Sequence, residues 1–265
     1  MGEGERRGPA INFSSQKALI MSYDDPRLVA IYDIDNPDGP DHDFFRAQAG
    51  ELKVRTIVDL GCGTEILTVT LAAPGRRILG IDPSESMLNF ARQRPGSDRV
   101  EWVRGTSSRI EPDSADLVIM SGNVAMHILG DDWHRTLADI SAGLTCGGRL
   151  LFESRNPLRE AWKEWNDMPS ERDTPAGRLR ESLVTEPPGA DGIVVMHVRN
   201  EFLESGAVLQ CDQKLQFRSA EQIRADLENA GRRVANVWRD WERNPFEGTP
   251  AEPLMVFEVA RADDV

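Results

Sequence analysis

The sequence predicts an α/β fold built on a mostly parallel sheet, and three observations carry that prediction. The stretch from Val54 to Pro83, VRTIVDLGCGTEILTVTLAAPGRRILGIDP, reads as an apolar strand ending in Asp59, a glycine turn (Gly61, Cys62, Gly63), a helical segment and a second apolar strand ending in Asp82. Leu117 to Met120 is wholly apolar, as a central strand buried on both faces must be. Helix-like and strand-like segments then alternate as far as the strand Arg149 to Glu153, which has the spacing of a fifth parallel strand. A glycine turn between strand and helix lets a ligand lie against bare backbone, and an acid about twenty residues further on accepts both hydroxyls of a ribose. The opening unit is therefore a place for a nucleoside.

The remaining elements follow in order. Residues 1–20 are polar and Gly-rich at first, with the character of a frayed end. Between Asp25 and Gln48, Tyr32, Phe44 and Phe45 flank a polar turn containing Asn36, Pro37, Gly39 and Pro40, and Asp43 is placed to cap a helix, FFRAQA. The aromatic residues pack this segment on the core. Ser84 caps a helix, SESMLNFARQR, whose Met87, Leu88 and Ala91 share an inward face. A short strand, VEWVR, ends at Gly105 and is followed by Thr106 and Ser107. Beyond the apolar fourth strand stand Ser121, Gly122, Asn123 and His127, at the carboxyl end of the sheet where ligands bind in open α/β folds. LREAWKEWN, with Trp162 and Trp165, forms one or two helical turns. LRESLVTE, IVVMHVRNEFLE and AVLQCDQKLQF then alternate apolar and polar residues between short turns, the pattern of an antiparallel meander. Ser219 to Gln222 is a capping box opening a helix that stops at Gly231, and two strands close the chain, Arg233 to Trp241 and Leu254 to Arg261.

Composition narrows the partners. A chain of 265 residues, 40% of them hydrophobic, buries roughly three-quarters of its unfolded surface, enough for one large domain. A formal net charge of −13 argues against nucleic acid and anionic membrane, because phosphates are bound by Lys and Arg that displace counterions. Cys62, Cys146 and Cys211 are too few and too scattered for a disulfide framework or a zinc site, so no metal is expected and the compartment is read as reducing and cytoplasmic. No apolar run reaches the ~18 residues of a membrane span, and MGEGERRGPA lacks the apolar core of a signal peptide.

Spacing then separates the nucleosides. A dinucleotide turn, G-x-G-x-x-G, wants a glycine at position 66, where this chain has Ile66. Asp59-Leu60-Gly61-Cys62-Gly63-Thr64 instead resembles the first motif of class I S-adenosylmethionine (SAM)-dependent methyltransferases, and SGNVAMH, from Ser121 to His127, resembles a string found in a bacterial subgroup acting on small molecules. One departure stands out: the family carries another glycine where this chain has Glu65, a carboxylate that either meets the ammonium group of SAM or turns to solvent. The resemblance implies a Rossmann-like seven-stranded sheet, mostly parallel with an antiparallel last strand. It implies one domain over residues 1–265, made of a lid (1–50), a SAM-binding core (51–157), a helix plus antiparallel β insertion over the cleft (158–218), and a last helix with a closing hairpin (219–265). It further implies cofactor contacts from Asp59, Gly61, Cys62, Gly63, Asp82, Pro83, Met87, Thr106, Ser107, Ser121 and Gly122, with S-adenosylhomocysteine as product. Tyr32, Asn36, Asn123, His127 and Arg155 become candidates for holding a small-molecule acceptor, and His127 the candidate base. Thr106 and Ser107 stand where the family commonly places an acid for the adenine amino group.

The expected chemistry is methyl transfer to a nitrogen or oxygen, more than to carbon, with positioning supplying most of the rate. A nicotinamide-dependent oxidoreductase and a non-catalytic SAM-binding protein are the alternatives. Charge disfavours a nucleic-acid methyltransferase, as does the lack of an Asn-Pro-Pro-Tyr-like string after Met120.

Overall fold

The computed structural model describes residues 24–52, 54–64 and 66–261; Glu65 and the expected polar N-terminal stretch lie outside the described residues. Two helices, α1 (Pro26–Asp35) and α2 (Pro40–Glu51), precede the strands β1 (Thr56–Leu60), β2 (Arg77–Asp82), β3 (Glu101–Arg104), β4 (Ala115–Met120) and β5 (Leu144–Arg155). Between them lie α3 (Glu85–Ala91), α4 (Val124–His127) and α5 (Gly130–Gly143). The strands β6 (Asp167–Thr174), β7 (Gly177–Thr185), β8 (Ile193–Phe202) and β9 (Ala207–Gln216) form a separate four-stranded antiparallel sheet. The chain ends with α6 (Ala220–Asn229), β10 (Arg232–Trp238) and β11 (Leu254–Arg261).

The main sheet has seven strands in the order β10-β11-β5-β4-β1-β2-β3. Its first five strands pair in parallel, and β11 runs antiparallel between β5 and β10. That is the predicted sheet, with the switch of strand order falling between β1 and β4, where ligands bind. Alternate residues feed two cores. Val58, Ile81, Val118, Met120 and Phe152 face Trp133, Leu137 and Ile140 of α5 and Ile223 and Leu227 of α6. Ile57, Ile78, Leu117, Ile119 and Leu151 face Phe44 and Phe45 of α2. Phe44 meets Phe45 and Trp238 edge-on, with centroids 5.4 and 5.6 Å away, so α2 is bound into the core as the aromatic pattern suggests.

Several boundaries differ from the expectations, each for a local reason. The segment after the glycine turn is a 3-10 turn, Thr68–Leu71, and not a regular helix: Thr68, Val69 and Thr70 are all β-branched, and Pro74-Gly75 follows at once. α2 starts at Pro40, whose fixed φ suits the first helical position, with Gly39 as N-cap; Asp43 lies inside the first turn and favours the helix dipole without capping it. Ser84 and Ser219 cap as predicted, and Gly231 takes a left-handed φ of +73° just past α6. The meander has a fourth strand, β6, whose polar sequence around Pro169 suits an edge position. β10 ends at Trp238, three residues earlier than read.

The β6–β9 sheet touches α1. Ile31 is buried with Leu179 and Phe202, Arg27 lies over the Phe202 ring at 4.3 Å, and Arg172 forks onto Asp35 at 2.5 and 2.8 Å. The exit of β5 is tied to the last loop by Asn156, 1% exposed, whose side chain donates to the carbonyls of Thr249 and Glu252 and accepts from the Leu158 N–H. Replacing Asn156 with Ala orphans one buried and one part-buried carbonyl, so chemical denaturation is expected to show a loss of about 1–3 kcal/mol. An unchanged midpoint would mean that other contacts hold this loop.

Candidate active site

The turn after β1 wraps around the end of β2. The N–H groups of Gly61 and Cys62 both donate to the Ile81 carbonyl, at 2.7 and 3.2 Å. Gly61 has a φ of +77°, and a Cβ there would sit 2.5 Å from Val124 Cγ2, so glycine is required by both conformation and space. Gly63, with φ of +63°, leaves only the Tyr32 ring facing it, 4.0 Å from where its Cβ would be. Asp82 closes the turn from below. Its Oδ2 accepts from the Gly63 N–H at 2.9 Å and its Oδ1 from the Ser84 N–H at 2.8 Å, which leaves lone pairs for further donors. Burial raises its pKa. Deeper still, Asp59 accepts from the Thr68 hydroxyl, and burial pushes its pKa up to about 6. Bare backbone beside a carboxylate with unused acceptor capacity fits the methionine and ribose portions of SAM.

The loop after β4 forms the opposite wall. Gly122 and Asn123 take left-handed φ values of +70° and +61° in succession, the second strained for a non-glycine residue. This turn points the Asn123 N–H at Glu153 Oε1 on the neighbouring strand β5. Glu153 is 2% exposed. Its Oε2 and the Asn123 Oδ1 are buried without a hydrogen-bond partner. Burial pushes the Glu153 pKa up to about 8. Arg155, two residues on and so on the same side of the strand, lies over the Trp165 ring at 5.3 Å, and burial lowers its pKa.

Between the two walls is a cavity of about 370 Å³. Of the predicted cofactor residues, Gly61, Cys62, Gly63, Ser121 and Gly122 line it; of the predicted acceptor residues, Tyr32, Asn36, Asn123 and Arg155 do. Asp59 and Asp82 are not in its wall; they accept from the Thr68 hydroxyl and the Gly63 N–H. Pro83, Met87 and Thr106 are not in its wall, and Met87 is buried in the face of α3. Ser107 is buried and also outside the wall; its hydroxyl donates to Asp139 Oδ2 of α5 at 2.7 Å, which braces the exit of β3. His127 also falls outside the wall, exposed at the end of α4.

The structure adds residues that the sequence reading passed over. Thr64, Asp41, His42, Trp241 and Glu153 join the lining. The signal for Glu153 was present: an ionisable residue closing a buried strand run, LLFE, at the carboxyl edge of the sheet, where perturbed acids gather at functional sites. His42 Nδ1 sits 2.8 Å from Asp38 Oδ1 and hangs from α2, an element whose helical face could not be assigned from a short, mixed pattern. Tyr32 crosses between the walls; burial first, then the charges of Asp82, Asp33 and Glu153, pushes its phenol up to about 12, so it stays a neutral donor. Among the described residues, no helix is long and apolar enough to cross a membrane, and no group of His, Cys, Asp and Glu is arranged to hold a metal ion.

Known proteins show the same architecture. A family model described as a methyltransferase domain matches residues 57–148. Cypemycin N-terminal methyltransferase from Streptomyces sp is 28% identical over 210 residues, spanning 77% of this chain and 83% of that protein. Glycine N-methyltransferase from Mus musculus is 27% identical over 117 residues, 38% of this chain and 40% of that protein. In fold, the CcbJ methyltransferase from Streptomyces caelestis superposes with a TM-score of 0.73 at 19% identity, covering 91% of this chain and 98% of that one. Strand order, glycine turn and these matches agree: residues 57–148 match a methyltransferase domain, and the chain as a whole has the fold of, and is similar in sequence to, SAM-dependent methyltransferases.

Proposed function

We propose that this enzyme methylates the nitrogen of a small-molecule amine, with the methionine end of SAM in the Gly61–Thr64 turn and its ribose on Asp82. The observation that carries the acceptor class is the pair of buried, unpartnered acceptors in the cavity wall, Asn123 Oδ1 and Glu153 Oε2. Buried acceptors without donors are costly. An amine or ammonium supplies several N–H donors, whereas a hydroxyl supplies one. The names of two relatives, an N-terminal and a glycine N-methyltransferase, support the same reading. Arg155, the cationic group of the wall beside Trp165, pairs with an anionic group elsewhere on the acceptor. The organisation read from the sequence serves this function: residues 1–50 as lid, 51–157 as SAM-binding core, 158–218 as cover over the acceptor and 219–265 as closure.

SAM supplies a methyl group already activated by its sulfonium. The chain's own work is to hold the nitrogen lone pair opposite that methyl, to exclude water with Tyr32 and the β6–β9 cover, and to take up the nitrogen's proton. Glu153, in the cavity wall, is better placed for that proton than His127, outside it.

Mass spectrometry of products from a metabolite panel is expected to show N-methyl products from amines and none from the matching alcohols; O-methyl products alone would refute the acceptor class. Asp82→Ala is expected to weaken SAM binding by about 10- to 100-fold, the worth of charge-assisted hydrogen bonds, with the circular dichroism of the fold retained. Unchanged affinity by calorimetry would remove Asp82 from the ribose site. Arg155→Gln is expected to raise KM for an acidic acceptor by roughly tenfold or more while kcat changes little, because it removes binding common to ground and transition states.

A further inference from the structure

Glu153 is an unusual group to find in the wall of a cavity that receives a cation. It is 2% exposed, one oxygen accepts the Asn123 N–H, and the other has no partner. The groups around it do little to hold a charge there. From α2, Asp41 raises its pKa; from the β4–α4 loop only the backbone amides of Gly122 and Asn123 lower it. From α1 the neighbour is the neutral Tyr32 phenol, and on its own strand Arg155 is the one nearby cation, already stacked on Trp165. Its pairing partner on β11 is Val256, and β4 beside it ends in Met120. Burial therefore favours the neutral carboxyl in the free enzyme, pushing its pKa up to about 8.

The geometry points to Glu153 as a cation-sensing carboxyl that is neutral before the cofactor arrives, releases its proton to solvent when the SAM sulfonium enters the cavity, and only then offers the acceptor an anionic partner. The O–H bond of the carboxyl breaks, its electron pair stays on Oε2, and the proton goes to buffer. A cation within roughly 4–6 Å of a carboxyl lowers its pKa by about 1–3 units, enough to carry Glu153 through neutrality. S-adenosylhomocysteine, a neutral thioether, gives no such push. The carboxylate form thus marks the methyl-bearing state, and its partner charge disappears once the methyl has left. The inference rests on the reading that the SAM methionine end occupies the Gly61–Thr64 turn, and is independent of whether the acceptor is an amine.

The test is calorimetric titration of the full chain with SAM and with S-adenosylhomocysteine, in buffers of different ionisation enthalpy. At pH 7.5 a carboxyl with a pKa near 8 is about three-quarters protonated, so a shift of one to two units should make SAM release roughly 0.5 to 0.7 proton more from wild type than from Glu153→Gln, a substitution that keeps the shape and the Oε1 acceptor. S-adenosylhomocysteine should show no such difference between the two proteins. Wild-type affinity for SAM, relative to the variant, should rise by roughly 5- to 25-fold from pH 6 to pH 8, as a shift of one to two units gives, and level off about a unit higher. Protons bound by SAM's own groups cancel in that comparison. Equal proton release by wild type and variant, or equal differences for the two ligands, would overturn the inference while leaving the cofactor site intact. Binding of SAM that tolerates a bulky substitution at Gly63 would overturn the placement on which it rests. A ligand-free check uses stability. Because folding raises this pKa above the ordinary carboxylate range, the free wild type is expected to lose stability relative to Glu153→Gln as pH rises from about 5 to about 8, read as a growing gap between their melting temperatures; parallel melting curves would count against a neutral Glu153.

Discussion

Everything at this site depends on how closely two loops approach. The turn after β1 and the start of α4 after β4 come so near that a Cβ on Gly61 would lie 2.5 Å from Val124. The contact fixes where α4 begins. Because Val124 sits there, Asn123 must turn through a left-handed conformation before it, and that turn aims its N–H at Glu153. One missing side chain therefore links the cofactor turn to the acceptor wall. The strain of Asn123 costs of order 1–3 kcal/mol and persists because the surrounding packing determines it. Met120 and Ala125 on either side are buried in the main core, which supplies that packing.

The lid is held by weaker means. Asp33 accepts from the Thr64 hydroxyl and pairs with Arg94, whose Nε donates to the Thr64 carbonyl, while Asp35 pairs with Arg172 of β6. The side chains of Asp35 and Arg172 are a third or more exposed, and such pairs are worth about 0–1 kcal/mol each. The apolar cluster of Ile31, Leu179 and Phe202 is small beside the main cores. α2 differs: Phe44 and Phe45 belong to the main core, so α2 is the more firmly anchored of the two N-terminal helices.

The sheet was legible in advance because its signals are local. Apolar runs, glycine turns and helix caps at Ser84 and Ser219 depend on near neighbours in sequence, and each was realised. β6 was missed because an edge strand needs little hydrophobicity; its partner β7 supplies its hydrogen bonds from outside the local pattern. The site was half legible. Residues at strand ends, such as Gly61, Ser121, Asn123 and Arg155, reach the cavity because topology alone brings those ends together. Ser107 lies outside the cavity wall, buried against α5 with its hydroxyl donating to Asp139, a partner that its neighbours in sequence do not announce. Glu153 escaped notice because charge in a strand reads as its exposed end, and only the packing of β5 between β4 and β11 shows it to be buried.

The acidity of the chain gains a local meaning from this arrangement. On the proposed reading an amine acceptor arrives as a cation, the methyl donor is a cation, and the two repel across a short gap. A net charge of −13 makes the surroundings attractive to both, yet long-range attraction is screened beyond about 10 Å in salt and cannot hold them in register. A buried anion in the cavity wall can. It must also be basic, because an ammonium has no lone pair to give. An ordinary carboxylate near pKa 4 is a poor match for an amine proton, whereas burial, which sets this one at about 8 in the free protein, keeps it more basic than that even after the sulfonium has lowered it. Placing the acid in an apolar strand end, and leaving one oxygen without a partner, serves attraction and proton uptake with a single side chain.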